Sequence, residues 1–217
     1  MKSTLLLMAA GIAGSALLTN VWAHEGHNHA AQRSVAPQDL AQEDRRPRSE
    51  RGLGQYQRSL QVYVVPDVAM VNANGRTIRI RELLAADGPV MLNFISAHCA
   101  THCSELNREF AMVPEKLGAA AATLRMVSIS IYAENDVPKQ LKALAEQFGA
   151  GRNWQFLTGS IDDIEAMQRA FDSYDFNKSD IKPLTFLRPV AGKPWVRING
   201  LASAENLARE YRTLMQN

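Results

Sequence analysis

Ile95-Ser96-Ala97-His98-Cys99-Ala100-Thr101-His102-Cys103 is the stretch whose reading decides the fold of this chain. It holds both cysteines of the protein and two of its five histidines, all within His98 to Cys103. Ahead of it runs Pro89-Val90-Met91-Leu92-Asn93-Phe94-Ile95, a short apolar run rich in strand formers. Behind it runs Ser104-Glu105-Leu106-Asn107-Arg108-Glu109-Phe110-Ala111-Met112, with Leu106, Phe110 and Met112 near helical spacing. The cysteines therefore fall where a buried strand gives way to a helix. The unpaired N–H groups and dipole of a helix start favour an anion, so a thiolate at Cys99 is expected to form more readily than in a free peptide. A spacing of four places Cys99 and Cys103 one turn apart on the same helix face. That is close enough for a disulfide or for one soft metal ion.

A disulfide kept only for stability is the competing reading in an exported chain. Loop length weighs against it. Closing so short a loop constrains the unfolded chain by only about 2 kcal/mol, against about 5 kcal/mol for a loop of roughly 100 residues. Redox or metal chemistry is the expectation.

A chain of 217 residues with 46% hydrophobic content can bury one full core. The net charge is +2, and with no basic block beyond Arg45-Arg46-Pro47-Arg48 there is no case for nucleic acid as a partner. Two cysteines are too few for a disulfide scaffold.

Residues 1 to 23 read as a cleaved secretory signal. Lys2 gives the positive start, Leu5 to Leu18 the apolar stretch, and Val21-Trp22-Ala23 the small-residue cleavage site. A membrane anchor is the alternative, but the stretch falls short of the roughly 20 residues a span needs. With no later span, the expected location is a bacterial periplasm, where thiols are oxidised or actively kept reduced. Cleavage leaves His24-Glu25-Gly26-His27-Asn28-His29 at the new N-terminus. Imidazoles and a free amine suit Cu(II) or Zn(II), and the bland alternative is a plain solvated tail. Every histidine lies either here or in the cysteine motif. Residues 24 to 55 as a whole read as a flexible tether, rich in Gln, Arg, Glu, Pro and Ser from residue 30 onward.

The folded domain is expected over residues 56 to 217. Strands are read at Gln61 to Val65, Val68 to Val71 and Thr77 to Ile80, with Asn72-Ala73-Asn74-Gly75 as a turn between the last two. A short helix, Arg81 to Ala86, precedes the motif strand. Pro114 is expected to interrupt the motif helix, which then resumes over Glu115 to Ala122. Leu124 to Ile131 is a second core strand. Asp136 is read as the cap of a helix reaching Phe148, and Trp154 to Leu157 as a strand. Ser160 opens a helix to Phe171, Pro183 to Leu187 and Trp195 to Ile198 are partner strands, and Ser203 caps a terminal helix to Met215. Strands alternating with helices give an α/β domain, a central sheet flanked by helices.

A strand ending in two close cysteines, then helix, strand, helix and Pro183-Leu184-Thr185-Phe186-Leu187, resembles a thioredoxin-like fold. Pro183 matches the proline which that fold holds in cis opposite its cysteines. Within that fold the chain resembles the Sco/SenC family of copper proteins that support assembly of the copper centre of cytochrome c oxidase. The resemblance rests on Val65-Pro66-Asp67-Val68, Asn93-Phe94-Ile95, the Cys-x-x-x-Cys spacing, Ser128-Ile129-Ser130-Ile131, Leu157-Thr158-Gly159-Ser160 and Pro183 to Arg188. It implies copper as the metal, Cys99 and Cys103 as its ligands, and a cuproprotein such as a cytochrome c oxidase subunit, or another periplasmic thiol protein, as partner.

Three departures bear on function. Ser104 stands where the family has proline after the second cysteine, and Tyr132-Ala133 where it has Asp-Pro. Its copper-binding histidine lies two residues before the position of Pro183, and that residue here is Ile181, which cannot bind copper. Copper delivery through two thiolates is one expected function, with His98 or His102 as a candidate replacement ligand. Thiol–disulfide exchange is the other: Cys99 attacks, Cys103 resolves, and Pro183 offers backbone to the partner. Loss of the histidine shifts weight toward exchange. Peroxide reduction has only Ser96-x-x-Cys99 behind it.

Overall fold

The structure, a computed structural model, describes residues 54–97, 102–176 and 182–216, with His102 and Cys103 described in backbone only. In chain order the strands are β1 (Gln55–Gln61), β2 (Ala69–Asn72), β3 (Thr77–Arg79), β4 (Val90–Ile95), β5 (Arg125–Ser130), β6 (Trp154–Thr158), β7 (Leu184–Arg188) and β8 (Trp195–Leu201). The helices are α1 (Ile80–Ala85), α2 (His102–Leu117), α3 (Pro138–Gln147), α4 (Ile161–Ala170) and α5 (Ala204–Met215). The strands form one sheet in the order β1-β8-β7-β4-β5-β6-β2-β3. The core β4-β5-β6 is parallel, while β7 and β8 continue antiparallel on one side and β2 and β3 on the other.

Why β4 sits at the centre follows from its composition. All six of its residues are buried, as befits a strand covered on both faces. Val90, Leu92 and Phe94 point to one face, where they pack with Ile80 and Leu84 of α1 and Ile164 and Met167 of α4. Met91 and Ile95 point to the other, with Leu106, Phe110 and Val113 of α2, Leu141 of α3 and Leu207 of α5. The sheet is thus the middle of three layers, as the alternating pattern implies.

Several local expectations move. The first strand is the polar Gln55–Gln61, not Gln61 to Val65, and Val62 and Val64 are about 80% exposed. Pairing decides it. Gln55 to Gln61 run against Leu201 to Trp195, and Tyr56 Oη and Arg58 Nε each donate to the Glu210 carboxylate of α5 at 2.8 Å. Burial, and then the bond to Glu210, push the Tyr56 phenol pKa up. Pro114 lies inside α2 without breaking it. The buried face of Phe110, Val113 and Leu117 carries the helix past the missing N–H, and Gly118, at φ +59°, ends it. The Asn72 to Gly75 turn is as expected, with Asn72 Oδ1 accepting from the N–H groups of Asn74 and Arg76 at 3.0 Å.

Candidate functional site

The end of β4 sets where the cysteine motif begins. Ile131 N donates to Ile95 O at 2.9 Å, carrying the β4–β5 ladder to the last residue of the strand. Ser96 is buried. Ala97 N then donates to Asp136 Oδ2 at 3.0 Å. Ser130 Oγ donates to the same oxygen at 2.6 Å and accepts from Tyr132 N at 3.0 Å. Asp136 and Ser130 are both wholly buried. A carboxylate from the β5–α3 connection thus holds the backbone two residues before Cys99.

The helix on the far side of the motif is held as firmly. His102 and Cys103 occupy the first two positions of α2. Asn107, four residues after Cys103, accepts through Oδ1 from Asn93 Nδ2 of β4 at 3.3 Å. Asn93 Oδ1 accepts from Ser128 Oγ at 2.6 Å, and Ser128 Oγ from Trp154 Nε1 at 2.9 Å. This buried polar chain crosses β4, β5 and β6 and satisfies groups that would otherwise be costly inside an apolar layer. Glu109 Oε2 accepts from Ala204 N at 2.5 Å, placing a buried carboxylate at the positive end of α5. Glu105, in the first turn of α2, is ion-paired with Arg108.

Pro183 is half-buried and directly precedes β7. The β4–β7 register pairs Asn93 with Thr185, so continuing it by two residues sets Pro183 level with Ile95, at the cysteine end of the sheet. No peptide bond among the described residues is cis, so the cis proline implied by the resemblance is corrected to trans. The carbonyl of Pro183 accepts from Gly200 N at 2.9 Å, and a proline has no N–H, so its backbone already serves the sheet.

His98, Cys99 and Ile181 lie outside the described residues, as do the signal segment and His24, His27 and His29 of the tail. Among the described residues no group of three His, Cys, Asp or Glu side chains comes together to hold a metal.

Asp136 is the site residue that the sequence reading misassigned. Val137, not Asp136, occupies the N-cap of α3 and makes no side-chain cap bond. The carboxylate turns inward to the motif instead. A signal for this network exists in the sequence: Ser128 and Ser130 interrupt the apolar run Leu124 to Ile131 at a spacing of two, and Asn93 interrupts β4. Polar residues inside a strand covered on both faces must find one another.

Comparison with known proteins agrees with this architecture. The family model described as SCO1/SenC matches residues 58–185. A curated relative, the SCO1 protein homolog of Bacillus subtilis (strain 168), is 34% identical over 99 residues, 45% of this chain and 50% of that protein. The chain therefore matches half the length of this relative. Among solved structures, BsSco, described as a member of the Sco family of cytochrome c oxidase assembly proteins with a disulfide switch, superposes with a TM-score of 0.60 at 23% identity, covering 73% of this chain and 96% of that one. Arabidopsis thaliana ScoI with copper bound gives 0.61 at 18% identity, covering 70% of this chain and 98% of that one. These likenesses show the thioredoxin-like fold, a mixed sheet with flanking helices. With a family model matching more than half of its length, the chain belongs to the SCO1/SenC family.

Proposed function

We propose that this protein handles the thiols and copper of a cuproprotein site, such as that of a cytochrome c oxidase subunit, through Cys99 and Cys103. The observation that carries this is the Cys-x-x-x-Cys pair at the step from the central strand β4 into α2, with Cys103 in the first turn of α2, in a SCO1/SenC chain. In the redox step the Cys99 thiolate attacks a client disulfide and releases one client thiolate. Cys103 then attacks Cys99, freeing the second client thiol and leaving the Cys99–Cys103 disulfide. Two electrons pass to the client, and the two protons of the protein's thiols end on the client's.

Copper enters as cargo. Two thiolates fit Cu(I), which accepts two ligands, and do not satisfy Cu(II), which wants more ligands with nitrogen among them. Ile181 brings no donor to the family's third position. Ile181 also supports a second reading, a general thiol–disulfide oxidoreductase with no copper role.

Residues 1–23 support export to the periplasm, with 24–55 as tether and 56–217 as the working domain. No helix among the described residues is long and apolar enough to cross a membrane.

The test is a Cu(I) titration of the reduced mature chain against a competing chelator, run beside reduction of an oxidised two-cysteine client peptide. One equivalent of Cu(I), lost in Cys99→Ser and in Cys103→Ser, supports copper handling. Peptide reduction without Cu(I) binding selects the second reading. Neither activity would end both.

A further inference from the structure

We infer that Asp136 is a positioning residue for the cysteine pair, its carboxylate clamping the Ala97 N–H and so fixing the course of the chain from β4 toward Cys99. This rests on the thiol and copper reading above and adds to it a residue outside the motif.

The use to which this carboxylate is put argues for the role. Burying a carboxylate is costly unless hydrogen bonds replace its water. At the start of a helix the ordinary use would be to cap that helix. Yet α3 is capped by Val137 with no side-chain bond, and Pro138 supplies its first turn. Asp136 Oδ2 instead takes the N–H of Ala97 at 3.0 Å and the hydroxyl of Ser130 at 2.6 Å. One oxygen thereby joins the end of β4, the end of β5 and the approach to α3. Asp136 N itself donates to Tyr132 O at 2.8 Å, so the connection that bears the carboxylate is pinned as well.

The effect falls on the pair through its two flanks. Beyond Cys103, α2 is fastened to the sheet by Asn107 and to α5 by Glu109. Before Cys99, the fastening is Asp136. Fixing both flanks restricts the paths open to the chain between them and so raises the effective concentration of one thiol at the other, which favours every state that joins them, disulfide or shared Cu(I). Releasing Ala97 lowers that concentration and weakens both states in the same direction.

Equilibration of the mature chain with glutathione tests this. The Cys99–Cys103 dithiol plus oxidised glutathione gives the intramolecular disulfide plus two reduced glutathiones, and the equilibrium constant is read directly. Asp136→Ala is expected to lower the constant about tenfold, a shift of about 30 mV for a two-electron couple. Cu(I) affinity should fall by a similar factor. Asp136→Asn keeps an oxygen for Ala97 N and should stay within about twofold of native. Ser130→Ala, which frees one side of the carboxylate, should lower the constant about threefold, and it carries the test if Asp136→Ala does not fold. Ile164→Ala opens a cavity under α4 on the far face of the sheet and should leave the constant native despite lower stability.

A native constant in both Asp136→Ala and Ser130→Ala would overturn the inference. So would Asp136→Asn behaving like Asp136→Ala, or Ile164→Ala shifting the constant as far. If the unaltered chain forms neither disulfide nor Cu(I) complex, the functional reading itself has failed, and that result is distinct from these.

Discussion

Asn93 and Asn107 meet across the junction that carries the cysteines, Nδ2 to Oδ1 at 3.3 Å, joining β4 to the second turn of α2. Both are buried, and Asn93 also accepts from Ser128. Removing either side chain leaves a polar partner unsatisfied, at about 1–3 kcal/mol. Asn93→Ala and Asn107→Ala should each lower unfolding free energy in urea by about 2 kcal/mol. The double variant should lose less than the sum, because the shared bond is removed once.

Trapping distinguishes the roles of the cysteines. Cys103→Ser should accumulate mixed disulfides through Cys99, seen on non-reducing gels and located by mass spectrometry, while Cys99→Ser should not. Trapping by Cys99→Ser alone would reverse the assigned roles.

Copper spectroscopy reports on Ile181. The reduced native chain should bind Cu(I) and show only a weak thiolate-to-Cu(II) band, because two sulfurs leave Cu(II) short of nitrogen. Ile181→His should bring that band up, and His102→Ala should change little. A full band in the native chain would mean that His98 or His102 already completes the site. No band in Ile181→His would place the third ligand elsewhere than this loop.

The histidine tail makes a separate forecast. A peptide of residues 24 to 30 should bind Cu(II) through His24, His27 and His29. Binding requires neutral imidazoles, so it should weaken as pH falls through about 6.5, where the rings take up protons that compete with the metal. Affinity no greater than that of a free amine, measured by calorimetry, would leave the segment a plain tether.

Gly200 is a position where stability alone is at stake. Its φ is +120°, and a Cβ there would lie 2.4 Å from Gln55 O and 2.9 Å from Tyr56 Cα. Gly200→Ala must therefore strain its own backbone and push β1 off β8. The expected loss is about 3 kcal/mol, from the disfavoured φ together with overpacking against backbone, read as a lower urea midpoint.

What the sequence disclosed is what depends on near neighbours. Periodicity and capping residues gave β4, β5, α4 and α5, because Ser160 and Ser203 accept from Asp163 N and Asn206 N as local rules require. The strand-to-helix step at the cysteines was legible for the same reason. β1 was misplaced because its register comes from β8, far along the chain, and its own residues are polar. Asp136 looked like a cap because its position before Pro138 fits one, while its donors are the Ala97 N–H just past the end of β4 and the Ser130 hydroxyl of β5. A side chain's choice between a local and a distant partner is a tertiary matter, and local spacing does not encode it.

The pairing of Gln55 with Leu201 also imposes an order of events on a chain that is made N-terminus first. β1 emerges early and waits, unpaired, until β8 follows. β4 has its parallel neighbour β5 soon after it but gains β7 only when the last quarter of the chain has arrived. Contacts so distant in sequence form late, since the loops that close them must be ordered first. Between those two moments one flank of the strand that leads into the cysteine segment is open. An oxidant met in that interval would reach the thiols before the sheet around them is complete.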